Sequence, residues 1–280
     1  DVMRVTGLDV GMVLDVSIRL EVEDVVQSRL KKEKHLIRSM TDRLNGDRVG
    51  LLAFAGSAYL ACPLTNDLDY LMDSVQITGP KMVLNQGTDI GAGLDTARRA
   101  LERGAEESST PDEKASHAPP SRAIVLLSDG EDHEEQAEAA AKRIKEAGIK
   151  FYVLGVGSKK GGPIPTRDDS GNLVGYKRDR KGQPILSSFR PNGLIALAVA
   201  GGGRYWNATP EENESEELLQ DIGALNRSDY AERRYLVYED RYQIPLILAV
   251  ILFFLEISIP SRKMAALVWV GFLSAGGWIL

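Results

Sequence analysis

Residues 123–129 read Ala-Ile-Val-Leu-Leu-Ser-Asp: five apolar residues without polar alternation, followed at once by a hydroxyl and a carboxylate. A continuous run of this kind suits a strand buried on both faces, as in a parallel sheet covered by helices. Three further runs share the pattern, at Met12–Leu14, Val49–Ala55 and Phe151–Val156. Segments of helical period lie between them. Leu36, Ile37, Met40 and Leu44 form one stripe, stopped by Asn45-Gly46. Ile90, Leu94, Ala97 and Leu101 form a second. Ala137, Ala141 and Ile144 form a third, closed by Gly148 where a left-handed cap is favoured. Strands alternating with helices require βαβ crossovers, so the expected fold is a Rossmann-like, doubly wound α/β domain with a mostly parallel sheet. Leu194–Ala200, the turn at 201–203, Arg204–Trp206 and Leu218–Leu225 extend it by a helix, a last strand and a closing helix.

Two insertions interrupt the alternation within residues 1–240. Residues 104–121 are polar and proline-bearing without period, and read as a surface loop. Residues 159–189 carry two turn signals, Asp169-Ser170-Gly171-Asn172 and Arg180-Lys181-Gly182, and predict one or two small hairpins outside the main sheet. The tail changes character. Residues 242–259 and 264–280 are apolar and separated by Pro260-Ser261-Arg262-Lys263, which predicts a transmembrane helix and a second hydrophobic segment. Glu256 lies near one end of the first, where a charge is tolerated, and Tyr242 and Trp269 suit the interface. If Arg262 and Lys263 mark the cytoplasmic side, the α/β domain faces the periplasm, anchored in the inner membrane of a bacterium. The sequence opens at Asp1 without methionine and ends within an apolar run, and reads as a piece of a longer protein.

Charge and motif content exclude several functions. The 40 acidic residues outnumber the 34 basic ones, a net charge of −6, which disfavours a general nucleic-acid binder. The single cysteine, Cys62, allows no internal disulfide and reads as a small core hydrophobe. His35, His117 and His133 lack partners at zinc spacing. Ser57 lacks the nucleophile-elbow pattern, and no phosphate-binding glycine loop with its lysine occurs.

The strand ends hold the residues of interest. In a doubly wound sheet, ligands bind at the carboxyl ends of the strands. Asp15 follows the first strand and Asp129 the third, with Ser17 and Thr88 on loops at the same edge. Two carboxylates, two hydroxyls and water make an oxygen shell suited to Mg²⁺ or Mn²⁺. The bland alternative is that Ser17, Thr88 and Asp129 merely cap helix starts and turns.

The ordered motifs LDVS (14–17 within it), a basic helix, GDRVGLLAFAGSAYLACPLT, QGTDIGAGL and AIVLLSDGEDH resemble von Willebrand factor type A domains. More closely, Thr6–Tyr242 is similar to the bacterial Bat membrane proteins of aerotolerance operons, including the PIP…DSGN insertion, the GGRY strand and the membrane segment. The resemblance implies a metal-ion-dependent adhesion site built from Asp15, Ser17, Thr88 and Asp129. At the motif's second serine this chain has Arg19. A guanidinium offers no lone pair. Turned inward, it would pair with Asp15 or Asp129 and replace the ion; turned outward, it leaves a four-residue shell for water to complete. The resemblance further implies a protein-interaction module and not an enzyme, working beside other type A domain membrane proteins and an AAA+ ATPase of the MoxR class. A metal-free structural scaffold and a phosphate- or nucleotide-using enzyme in the same crevice are the alternatives.

Overall fold

The computed structural model describes residues 8–25, 27–44, 46–107, 121–131, 136–168, 170–208 and 213–223, with Leu246, Ile247, Ala249 and Leu252. The chain divides into two compact units, Asp1–Glu232 and Arg233–Leu280. In the first, ten strands and six α-helices are described, with two short 3-10 turns at Ile18–Glu21 and Pro80–Met82: β1 (Asp9–Asp15), α1 (Arg29–Thr41), β2 (Arg48–Phe54), β3 (Ala58–Thr65), α2 (Leu68–Ile77), α3 (Ile90–Glu107), β4 (Arg122–Ser128), α4 (Ala137–Glu146), β5 (Lys150–Gly155), β6 (Gly162–Pro163), β7 (Pro165–Arg167), β8 (Leu173–Tyr176), β9 (Leu186–Ser187), α5 (Pro191–Ala200), β10 (Arg204–Asn207) and α6 (Asn213–Gly223).

Six strands form the central sheet in the order β10-β5-β4-β1-β2-β3, parallel except for β3. Strand β1 is buried along its whole length because both of its faces are covered. Met12 and Leu14 face a layer with Leu36, Ile37 and Met40 of α1, Leu71 of α2 and Leu218 of α6. Val13 points the other way, towards Leu94 and Leu101 of α3 and Ala141 of α4. From β1 the chain goes to β2 on one side, while β4, β5 and β10 run outward on the other. The winding direction therefore reverses between β1 and β4, and a crevice opens at the carboxyl ends of these two strands.

The expected strands and the three helical stripes are all present, with informative differences. Strand β3 and helix α2 go beyond the expected elements. β3 is a half-exposed edge strand whose Pro63 would be unsuitable in mid-sheet. α1 ends at Thr41, so the buried Leu44 belongs to the following turn. α3 continues to Glu107, four residues into the segment expected to be loop; residues 108–120 lie outside the described part. The insertion holds two small antiparallel pairs outside the main sheet, β6 with β9 and β7 with β8. Cys62 is a buried free thiol in the core. Gly148 takes a left-handed φ of +69° after α4, with nothing within 4 Å of an added Cβ. Strain without a clash means Gly148→Ala is expected to cost only about 1 kcal/mol, measured by urea unfolding.

The two apolar runs at 242–259 and 264–280 fall outside the described residues, apart from four helical positions in the first. Among the described residues, no helix is long and apolar enough to cross a membrane.

Candidate functional site

The crevice at the switch point gathers four loops. Asp15 closes β1, and Ser17 follows it. The backbone N–H of Ser17 donates to Asp15 Oδ1 at 2.9 Å, and Ser128 Oγ, at the end of β4, donates to Asp15 Oδ2 at 2.9 Å. Asp129 comes next, its Oδ1 accepting from the Glu131 N–H at 3.1 Å. The turn that places it depends on Gly130, whose φ is +78° and whose added Cβ would lie 2.4 Å from the Arg190 carbonyl oxygen. Thr88 reaches the same edge because its loop is clamped to the end of β2: Gly56 N–H donates to Asn85 O at 3.0 Å and Asp89 N–H to Ala55 O at 2.7 Å. Gly56 permits that approach, since a Cβ there would meet Asn85 O at 2.8 Å.

All four predicted residues are buried. Their hydroxyls are not used as caps. Ser17 makes no side-chain capping hydrogen bond, and Asp89, not Thr88, accepts from Ala92 N–H at the start of α3. The oxygens Ser17 Oγ and Thr88 Oγ1 are both inaccessible and make no well-formed hydrogen bond, although the Ser17 hydroxyl lies close enough to Asp15 to help lower that carboxyl. A buried hydroxyl left unpaired costs about 1–3 kcal/mol, a cost that a bound cation would remove.

Arg19 takes the outward option. Its guanidinium forms an ion pair with Glu131 at 2.8 Å, without the alignment of a directed hydrogen bond, and 22% of its side chain is exposed. The inward position belongs to a different arginine. Arg29, the first residue of α1, is fully buried. Its Nη1 donates to Asp129 Oδ2 at 2.7 Å and to Ser187 Oγ at 3.0 Å. Its Nε and Nη2 donate to the two oxygens of Asp24 at 2.9 and 2.6 Å, and Nη2 also to the Ser187 carbonyl at 3.2 Å. Glu131 holds the same insertion strand, accepting from Ser188 N–H at 2.9 Å. Thus β9 is tied to the crevice through Arg29 and Glu131.

The electrostatics follow from burial. Burial, reinforced by the neighbouring Asp129, pushes the Asp15 carboxyl from 3.8 to about 7. Burial also raises Asp129, and Arg29 offsets only part of that. Burial pushes Asp24 upward too, but hydrogen bonds from Arg29 and Ser158 outweigh it and leave this carboxyl below its ordinary value. A fourth acid, Glu33, lies one turn beyond Arg29 on α1. It is fully buried, neither of its oxygens has a partner, and burial together with Asp15 and Asp129 raises it well above an ordinary glutamate.

The donor set fits a hard divalent cation: two carboxylates that each keep lone pairs free, two unpartnered hydroxyls and no soft ligand. Among the described residues, no three acidic, histidine or cysteine side chains converge to hold an ion by themselves. The hydroxyls and water would have to complete the shell. Sequence reasoning located Asp15, Ser17, Thr88 and Asp129 but missed Asp24, Arg29, Glu33 and Glu131. His133 lies outside the described residues, and His35 sits within α1.

Residues 10–131 match the von Willebrand factor type A domain. The crystal structure of an aerotolerance-related membrane protein from Bacteroides fragilis is 33% identical, with a TM-score of 0.67, over 77% of this chain and 98% of that one. BatB from Bacteroides thetaiotaomicron matches equally, at 33% identity and a TM-score of 0.67 over 77% of this chain and 97% of that one. An uncharacterized protein of Borreliella burgdorferi is 25% identical over 85% of this chain. The present chain spans 63% of that relative's length.

Proposed function

The chain belongs to the Bat-type, aerotolerance-related family of von Willebrand factor type A proteins, and on that premise we propose that it is a membrane-anchored protein-interaction module and not an enzyme. Its working site is a divalent-cation site, for Mg²⁺ or Mn²⁺, formed by Asp15, Ser17, Thr88 and Asp129. The observation that carries this reading is the pair of buried, unpartnered hydroxyls of Ser17 and Thr88 beside two carboxylates. A cation would satisfy both hydroxyls and stabilise the ionised form of Asp15. It would also offer an open position to an acidic side chain of a partner. Leu84, 99% exposed on the loop that carries Thr88, is available as an apolar contact for a partner.

Family membership supports the rest of the assignment: other type A domain membrane proteins as partners, an ATPase of the MoxR class beside them, and a role in envelope stress or oxygen tolerance. The apolar runs at 242–259 and 264–280 would anchor the module in the bacterial inner membrane, with the α/β domain on the periplasmic side.

One observation favours a second reading. Arg29 already neutralises Asp129, as an ion would, so a metal-free scaffold is the alternative, and its partner binding would survive chelation. A phosphate-using enzyme has less support. Among the described residues, the cleft beside Gly130, against Leu194 and Leu197, is lined by one charged side chain, the acid Glu138, and by no basic group that would hold a phosphate.

The test is a titration of Mg²⁺ and Mn²⁺ against thermal unfolding of the whole chain in detergent micelles. A site with Kd near 100 µM is expected to add roughly 2.7 kcal/mol at about 10 mM metal, and Thr88→Val should remove most of the gain. No response in wild type sinks the cation reading. Arg19→Ser, run alongside, removes the counter-charge of the buried Glu131, which keeps its hydrogen bond from Ser188 N–H. It is expected to lower the metal-free stability by about 1–3 kcal/mol, while its new hydroxyl strengthens metal binding.

A further inference from the structure

We propose that Glu33 belongs to the cation site as a third carboxylate, acting from the α1 side through an intervening water. The inference rests on the cation reading above. Arg29 and Glu33 are four residues apart and share the buried face of α1. Arg29 begins that helix and touches Asp129 at 2.7 Å, so the amino end of α1 lies at the crevice. Helical side chains lean towards the amino end of their helix, which directs the Glu33 carboxyl back to the same place. Both of its oxygens are inaccessible and neither has a donor.

An unpaired buried carboxyl is among the more costly groups a core can hold, and this one shares the buried face of α1 with Leu36, Ile37 and Met40. The site shows what the carboxyl gains. Asp15, Asp129 and Glu33 together carry three potential negative charges, and the buried cation near them, Arg29, is shared with Asp24. Ionised, the four acids exceed Arg29 by three charges, an excess that a divalent cation would largely offset. Arg19 removes one expected oxygen from the motif, and Glu33 supplies another from a different element. Because three acids do not converge on one point among the described residues, Glu33 acts at one water's remove.

The experiment measures Mn²⁺ affinity of the whole chain in micelles by electron paramagnetic resonance of free Mn²⁺, with Tb³⁺ luminescence beside it. Wild type, Glu33→Gln, Glu33→Met and Asp15→Asn are compared. Glu33→Gln keeps the shape and removes the charge, and is expected to weaken Mn²⁺ by at least about tenfold and Tb³⁺ by more, since a lost charge weighs more against a trivalent ion. Glu33→Met is expected to unfold at a higher temperature than wild type in chelator and yet to bind Mn²⁺ poorly, a combination that a purely structural role does not produce. Wild-type affinity in both Glu33 variants, with binding abolished in Asp15→Asn, overturns the role of Glu33 and leaves the cation site standing. Absence of Mn²⁺ binding in wild type overturns both.

Discussion

Replacing Arg29 with methionine is expected to lower the stability of the metal-free protein by about 3–5 kcal/mol, the range for breaking a buried ion pair from one side. The side chain is inaccessible and donates to Asp24, Asp129, Ser187 Oγ and the Ser187 carbonyl. Methionine fills part of the volume but removes the counter-charge of two buried carboxylates, leaving Asp129 with only the Glu131 N–H and Asp24 with only Ser158 as donors. The loss should be accompanied by faster hydrogen exchange in β9, which Arg29 ties to the crevice. The same change frees Asp129 from its internal counter-charge. The stability added by Mn²⁺ is therefore expected to be larger in Arg29→Met than in wild type. Denaturant unfolding in chelator and in Mn²⁺ measures both. A loss below about 1 kcal/mol would show that the guanidinium is not the counter-charge of this site.

Asp15→Asn is expected to act in the opposite direction. The carboxyl of Asp15 titrates at about 7 in the folded protein, against 3.8 for an ordinary aspartate. Between about pH 4 and pH 7 the folded state therefore holds a proton that the unfolded state has released. The stabilising contribution is complete below about pH 4 and is lost as the pH rises through 7. Above that, ionising the buried group costs up to about 4 kcal/mol. Glu33, raised in the same direction, steepens the fall. Asp24, held below its ordinary value, acts below about pH 4, outside this window. In chelator at pH 8, Asp15→Asn should be about 2–4 kcal/mol more stable than wild type, and the two should converge near pH 4. Parallel pH profiles would mean that Asp15 is ionised in the metal-free fold. The variant should also lose its response to Mg²⁺, giving up binding for stability.

The fold was legible because its signal is compositional. Strands buried on both faces must be continuous apolar runs, and 49–55, 123–127 and 151–156 cannot be read as amphipathic helices. Strand β3 was not legible for the complementary reason: an edge strand is half exposed, and Ala58–Thr65 mixes apolar, polar and proline residues. The four oxygen donors were legible from strand ends and motif order. Arg29 and Glu33 were not. Both fall in a charged, mostly basic run, Arg29-Leu30-Lys31-Lys32-Glu33-Lys34, where charged residues normally face water. Nothing local distinguishes the two that turn inward. Their four-residue spacing, in phase with the buried Leu36, Ile37 and Met40 face, was the available signal. Arg19 drew the attention instead, because it stands at a motif position; of the two options left open for it, it takes the pairing away from Asp15 and Asp129, with Glu131, while an arginine from α1 pairs with Asp129.

The most direct test of the central claim is a crystal structure of the protein grown with Mn²⁺, with diffraction recorded at the manganese absorption edge. The account predicts an anomalous peak within coordination distance of Asp15, Ser17, Thr88 and Asp129, with the Ser17 and Thr88 hydroxyls turned onto it. Crystals saturated with Mn²⁺ that show no peak there, and in which the Arg29–Asp129 pair is unchanged, would contradict the cation site and leave a scaffold whose buried arginine is its permanent counter-charge.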